Sequence, residues 1–186
     1  DMVLPGMTIG IIGGGQLGKM LAISANTMGY RVITLDPAVD APAASVSHEH
    51  IVGELDDAQA LEELVKKSDI VTYEFENIDA DCITKLQKRY ENIPQGAMPL
   101  YLSQHRGREK EALVTAGLQV VPYCSTEDIE QDITKIIALL DFPLVIKTAE
   151  GGYDGKGQAV LQTKDDMHKI EQFKEEALKM HIVQVL

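Results

Sequence analysis

Pro143-Leu144-Val145-Ile146-Lys147-Thr148 runs into Gly151-Gly152-Tyr153-Asp154-Gly155-Lys156-Gly157-Gln158. The first part reads as a buried strand carrying a lysine near its end, and the second as a glycine-rich turn carrying another. A Walker A loop would need glycine where Glu150 stands, and serine or threonine where Gly157 stands. The order strand, glycine turn, strand describes instead a flexible hairpin lid suited to a polyphosphate. Lys147 supplies a fixed point charge and Lys156 one that travels with the lid. Backbone N–H groups of the turn add donors. An ordinary surface hairpin satisfies its turn with far fewer glycines.

Working outward, Gln158 to Gln162 reads as the return strand, Asp165 to Met180 as a helix and Ile182 to Leu186 as a closing strand. Ending on an apolar strand leaves a ladder without partners, so the natural chain is expected to continue. Upstream lie a strand at Val120-Val121, a helix from Glu127 to Leu140, and a connecting helix from Gln104 to Ala116 stopped by Gly117. Before a pause at Ile93-Pro94-Gln95-Gly96, strands at Thr8 to Ile12, Arg31 to Leu35, His50 to Val52 and Asp69 to Tyr73 alternate with helices. The helices are expected at Gly15 to Met28, with Leu17, Met20, Leu21 and Ala25 on one face; at a stretch capped by Asp56 and ending at Lys66; and at Asp79 to Arg89. That alternation predicts a parallel sheet with right-handed crossovers. The fold class is α/β: a Rossmann-like parallel sheet over 1–103, then a linker helix and a small α+β unit over 104–186.

Gly13-Gly14-Gly15-Gln16-Leu17-Gly18 matches G-x-G-x-x-G between the first strand and helix, and Asp36 closes the next strand. A dinucleotide-binding fold uses such a loop for phosphate and such an acid for ribose. An NAD-dependent oxidoreductase therefore stays open, although it leaves the second loop unexplained. A simpler reading is that glycine only lets the helix pack tightly on the sheet.

The 186 residues include 29 acidic and 17 basic ones, a formal charge of -12. No sustained basic face exists for a nucleic acid backbone. Cys82 and Cys124 form no metal-binding spacing and read as reduced, buried thiols. No basic-then-apolar leader precedes the first strand, and no run approaches the roughly 18 apolar residues of a membrane span. These features predict a cytoplasmic protein without a membrane partner. His48-Glu49-His50 reads as a surface strand end, Lys164-Asp165-Asp166 as a helix start, and Met20 and Met28 as core fillers.

Lys147 with Gly152 to Gln158 resembles the ATP-grasp small-lobe signature of the carboxyaminoimidazole ribonucleotide synthetases. Gly14 to Met20, Leu35-Asp36-Pro37, Ala41-Pro42-Ala43, Glu49 to Val52, Val71 to Asn77, and Gln104-x-Arg106 followed by Glu109-Lys110 are similar to theirs in the same order. The resemblance spans essentially the whole chain. It implies a pre-ATP-grasp domain over 1–103 and, over 104–186, an ATP-grasp small lobe without its C-terminal lobe. It implies ATP-dependent carboxylation of 5-aminoimidazole ribonucleotide with bicarbonate, through carboxyphosphate, giving ADP and phosphate in purine synthesis. Lys147 and Lys156 would be the catalytic cations. ATP would be held by Arg106, Lys147, Tyr153, Asp154, Gly155, Lys156, Gly157, Gln158 and Gln184. The substrate side would be lined by Gly15, Gln16, Leu17, Glu74, Glu76 and Asn77, with Tyr153 and Asp154 also facing substrate. Mg2+ is expected on ligands in the C-terminal lobe, and the full-length protein as a homodimer; this chain alone is expected to lack turnover.

The chain departs from the family in three places. His105 and Gly107 stand where an aspartate and a larger apolar residue are more usual, and Gln184 where a glutamate is usual. Gly107 is expected to weaken a helix interior by roughly 1 kcal/mol relative to alanine. The formate-using glycinamide ribonucleotide transformylases are the nearest rival, but carry glutamate at the position of Gln16 and lack the Tyr153-Asp154 pair.

Overall fold

The alternating apolar runs of the first half build one parallel sheet. The computed structural model describes residues 2–73, 76–151, 157–176 and 180–186. Strands Thr8–Ile12 (β1), Arg31–Asp36 (β2), Glu49–Val52 (β3) and Ile70–Tyr73 (β4) lie in the order β3-β2-β1-β4, each pair parallel. Helices Gln16–Thr27 (α1), Ala58–Lys67 (α2) and Ala80–Gln87 (α3) connect or follow them. Leu61, Leu64, Val65 and Ile83 pack with Ile12, Leu35 and Val71 into the larger core. Ala22 and Ala25 of α1 meet Ile11 and Val32 in a second cluster. Cover on both faces explains the near-continuous hydrophobic strands.

Helix α1 turns inward a face that shares only Ala25 with the one expected. Gly18, Ala22 and Ala25 are buried, whereas Leu17, Met20, Leu21 and Met28 are exposed, so the methionines are not core fillers. The reason is close approach: a Cβ at Gly18 would lie 2.5 Å from the Gly13 carbonyl oxygen. A helix laid this tightly on its loop and sheet buries its small residues and leaves the large ones outside.

Helix α2 is capped by Asp57, not Asp56; its Oδ1 accepts from the N–H groups of Gln59 at 2.8 Å and Ala60 at 3.2 Å. Asp79 caps α3 in the same way, accepting from Asp81 and Cys82.

The chain divides into two compact units, Asp1–Tyr101 and Leu102–Leu186. A short helix that sequence reasoning missed, Met98–Ser103 (α4), precedes Arg106–Thr115 (α5). The latter starts after His105, whose ring caps it. Strand Tyr123–Thr126 (β5) begins after Pro122, so Val120-Val121 is not a strand. Helix Ile129–Leu140 (α6), capped by Asp128, leads to Leu144–Thr148 (β6) and Gln158–Leu161 (β7). The helix expected from Asp165 to Met180 is present as a 3-10 helix over Lys164–Glu176, with 177–179 outside the described residues.

The last strand, His181–Val185 (β8), corrects the expectation of an unpartnered end. The second sheet runs β5-β8-β6-β7, all antiparallel, so β8 is an inner strand hydrogen-bonded on both sides. One face of this sheet, with Leu144, Ile146, Ala159, Leu161 and Val183, packs on Ile129, Ile133 and Ile136 of α6 and on Phe173. Among the described residues no helix is long and apolar enough to cross a membrane.

Candidate functional site

The other face of the second sheet carries the polar chemistry. Strand register sets Tyr123 opposite Gln184, Gln184 opposite Val145, and Lys147 opposite Gln158 and Ile182. Opposed residues and their i+2 neighbours share a face. Tyr123, Lys147, Gln158 and Gln184 therefore stand together, away from the apolar core.

Helix α5 is tied to this face at its first turn. The Arg106 N–H donates to the Ala149 carbonyl at 2.8 Å, and Arg106 Nη1 donates to the Thr148 and Gly151 carbonyls, each at 2.7 Å. The guanidinium thus clasps the start of the glycine-rich turn. Thr148 N–H donates to the Gly157 carbonyl at 2.9 Å and closes the base of the hairpin. One helical turn beyond Arg106, the Lys110 ammonium sits 5.1 Å from the Tyr123 ring centroid. Burial, and then the charge of Lys147, hold the Lys110 ammonium below the usual lysine range. Among the described residues, no ion pair joins Lys110 or Lys147 to a carboxylate.

Of the residues expected around a nucleotide, Arg106, Lys147 and Gln184 are half-buried, while Gly157 and Gln158 are exposed. Tyr153, Asp154, Gly155 and Lys156 lie outside the described residues. Sequence alone assigns no role to Lys110 or Tyr123. The available signal was the i,i+4 spacing of Arg106 and Lys110, which puts both on one helix face.

In the first unit the remaining expected residues gather at the carboxyl ends of the strands. Ile12 pairs with Tyr73, so the carboxyl ends of β1 and β4 lie side by side. The order β3-β2-β1-β4 reverses direction there, making it the topological switch point where α/β sheets hold ligands. Gly15, Gln16 and Leu17 follow β1, and Glu76 and Asn77 follow β4; apart from half-buried Gly15 these are exposed. Glu74 lies outside the described residues. A cavity of about 320 Å³ nearby is lined by Pro37, Glu54, Leu55, Asp56, Asn77 and Asp79.

Asp36 is occupied differently from a ribose-binding acid. Its Oδ2 accepts from the Gly14 N–H at 2.8 Å and its Oδ1 from the Ala38 N–H at 2.9 Å. The carboxylate braces the glycine loop, which speaks against the dehydrogenase reading. His48 and His50 are likewise engaged with Val32 and with Thr34 and Ala38. Among the described residues no group of three or more His, Cys, Asp or Glu could hold a metal ion.

Parallel-sheet unit, glycine loop at a switch point and lysine-bearing antiparallel hairpin together define the class. The chain belongs to the ribonucleotide synthetase preATP-grasp family, whose pattern it matches over residues 6–104, and residues 111–185 match the ATP-grasp domain. Among its relatives, the N5-carboxyaminoimidazole ribonucleotide synthase of Staphylococcus aureus (strain MRSA252) is 51% identical over 164 residues, 88% of this chain and 43% of the relative. The crystal structure of the Staphylococcus aureus synthetase complexed with ADP superposes with a TM-score of 0.92 at 46% identity, covering 100% of this chain and 49% of that one. The Aspergillus clavatus carboxyaminoimidazole ribonucleotide synthase complexed with ATP gives a TM-score of 0.82 at 27% identity, with 96% of this chain and 47% of that chain covered. This chain therefore spans less than half the length of these relatives.

Proposed function

We propose that this chain is the ATP-binding front part of a synthetase that carboxylates 5-aminoimidazole ribonucleotide with bicarbonate. ATP is consumed to ADP and phosphate, and N5-carboxyaminoimidazole ribonucleotide is formed for purine synthesis. The observation that carries the reading is the polar sheet face of the second unit. Lys147, Gln158 and Gln184 share it, with Arg106 clamping the mouth of the glycine hairpin.

In this reading Lys147 and Lys156 are the catalytic cations, offsetting phosphate charge as the γ-phosphoryl group moves to bicarbonate. Arg106 reaches the phosphates or, through its carbonyl contacts, sets the hairpin over them. Gln184 meets the adenine edge, and Tyr153 to Gln158 form the lid that keeps water from a labile acyl phosphate. Gly15, Gln16, Leu17, Glu74, Glu76 and Asn77 are assigned to ribonucleotide binding, and Tyr153 and Asp154 are assigned to it as well. The functional division is 1–103 for the front domain and 104–186 for linker helix and small lobe. Mg2+ accompanies the polyphosphate, on carboxylates not assigned to this chain. The full-length protein is taken to be a cytoplasmic homodimer.

Calorimetric titration tests the reading. ATP and ADP should bind, and Lys147→Met should weaken both, while NADH should not bind. NADH binding without ATP binding would replace this reading with the oxidoreductase.

A further inference from the structure

We infer that Lys110 is a further phosphate-binding residue of the nucleotide site, acting with Lys147 across the polar face of the second sheet. The inference rests on the nucleotide reading above and extends it by one residue. Lys110 stands one turn after Arg106 on α5, and residues four apart project from the same side of a helix. Arg106 is bonded to the Thr148 and Gly151 carbonyls, so this side of α5 faces the hairpin mouth. The ammonium of Lys110 lies over the Tyr123 ring, 5.1 Å from its centroid. Tyr123 pairs with Gln184, and Gln184 with Val145, two residues before Lys147. Lys110 as a whole is half-buried.

Two ammonium groups are thereby turned toward one surface. No carboxylate among the described residues forms an ion pair with either. Burial first, and then the charge of Lys147, oppose protonation of Lys110, and the nearby charge of Glu109 offsets them only in part. Like charges held together in a partly desolvated place are costly unless an anion joins them. A nucleotide's β- or γ-phosphate supplies that anion. A purely structural Lys110–Tyr123 contact would account for the ring but not for the second lysine.

The test is titration of ADP, ATP and adenosine into the full-length protein carrying Lys110→Met or Lys110→Arg. Lys110→Met should weaken ADP and ATP by about ten- to a hundredfold, as loss of a charged hydrogen bond does. Adenosine affinity and melting temperature should stay unchanged, and arginine should restore most of the loss. On the unsubstituted protein, ADP but not adenosine should protect the Lys110 amine from acylation, a readout that needs no variant to fold. Normal ADP affinity in Lys110→Met, or a Lys110 that ADP leaves unprotected, overturns the role of Lys110 while the nucleotide reading stands. Failure of the unsubstituted protein to bind ADP or ATP overturns both.

Discussion

His105 Nδ1 accepts the Gly107 N–H at 3.1 Å and the Arg108 N–H at 3.3 Å, and a Cβ placed on Gly107 would lie 2.9 Å from His105 Cε1. His105 and Gly107 are therefore one feature. Gly107 lies in the first turn of α5, not its interior, and its missing side chain leaves room for the imidazole of His105.

This coupling is measurable by a double-mutant cycle. Gly107→Ala alone should give no gain or a loss, because moving the ring sacrifices a cap worth about 0.5–2 kcal/mol. In a His105→Asp background the same substitution should stabilise by up to about 1 kcal/mol, the helix propensity difference. Thermal or urea unfolding of the four proteins reads the sign; additive effects would deny the contact.

Asp36 gives a second stability prediction. Removing its carboxylate leaves the Gly14 and Ala38 N–H groups without their acceptor. Asp36→Ala should cost about 1–3 kcal/mol, seen as a lower urea midpoint. An unchanged midpoint would mean that the glycine loop stands without its brace.

Acid should weaken the first unit through Glu62. Hydrogen bonds from Lys66, then Tyr90 and then Arg89, lower its carboxyl from 4.5 to about 2. A depressed carboxyl contributes stability in full above its unfolded value and loses it as pH falls through the folded one. The melting temperature gap between the native protein and Glu62→Gln should therefore be open at pH 7 and close between about pH 4.5 and 2. A gap independent of pH across that window would contradict the network.

Much of the fold was legible because buried parallel strands are written as short apolar runs broken by glycine and aspartate. Thr8–Ile12, Arg31–Asp36 and Leu144–Thr148 emerge from such runs within a residue. The errors have local causes. Apolar spacing favoured Leu17, Met20, Leu21 and Ala25 of α1; of these close packing kept only Ala25 and buried it with Gly18 and Ala22. Pro122 delayed β5 to Tyr123, and nothing in its composition marks β8 as an inner strand. On the candidate site, Lys147 and its hairpin were readable because glycine content is a local signal. The Lys110–Tyr123 pairing was not, because it depends on which face of α5 meets the sheet.

Lys147 offers the sharpest prediction for binding. It stands on the polar face opposite Gln158, and Lys147→Met should raise the dissociation constant for ATP by about ten- to a hundredfold with little change in melting temperature. Unaltered ATP affinity would remove it from the phosphate site.

The most direct test of the whole account is ADP release by the protein extended to the length of its relatives, with 5-aminoimidazole ribonucleotide and bicarbonate omitted in turn. The account predicts ADP formation that requires the ribonucleotide and is stimulated by bicarbonate. ADP formation indifferent to both compounds would contradict it.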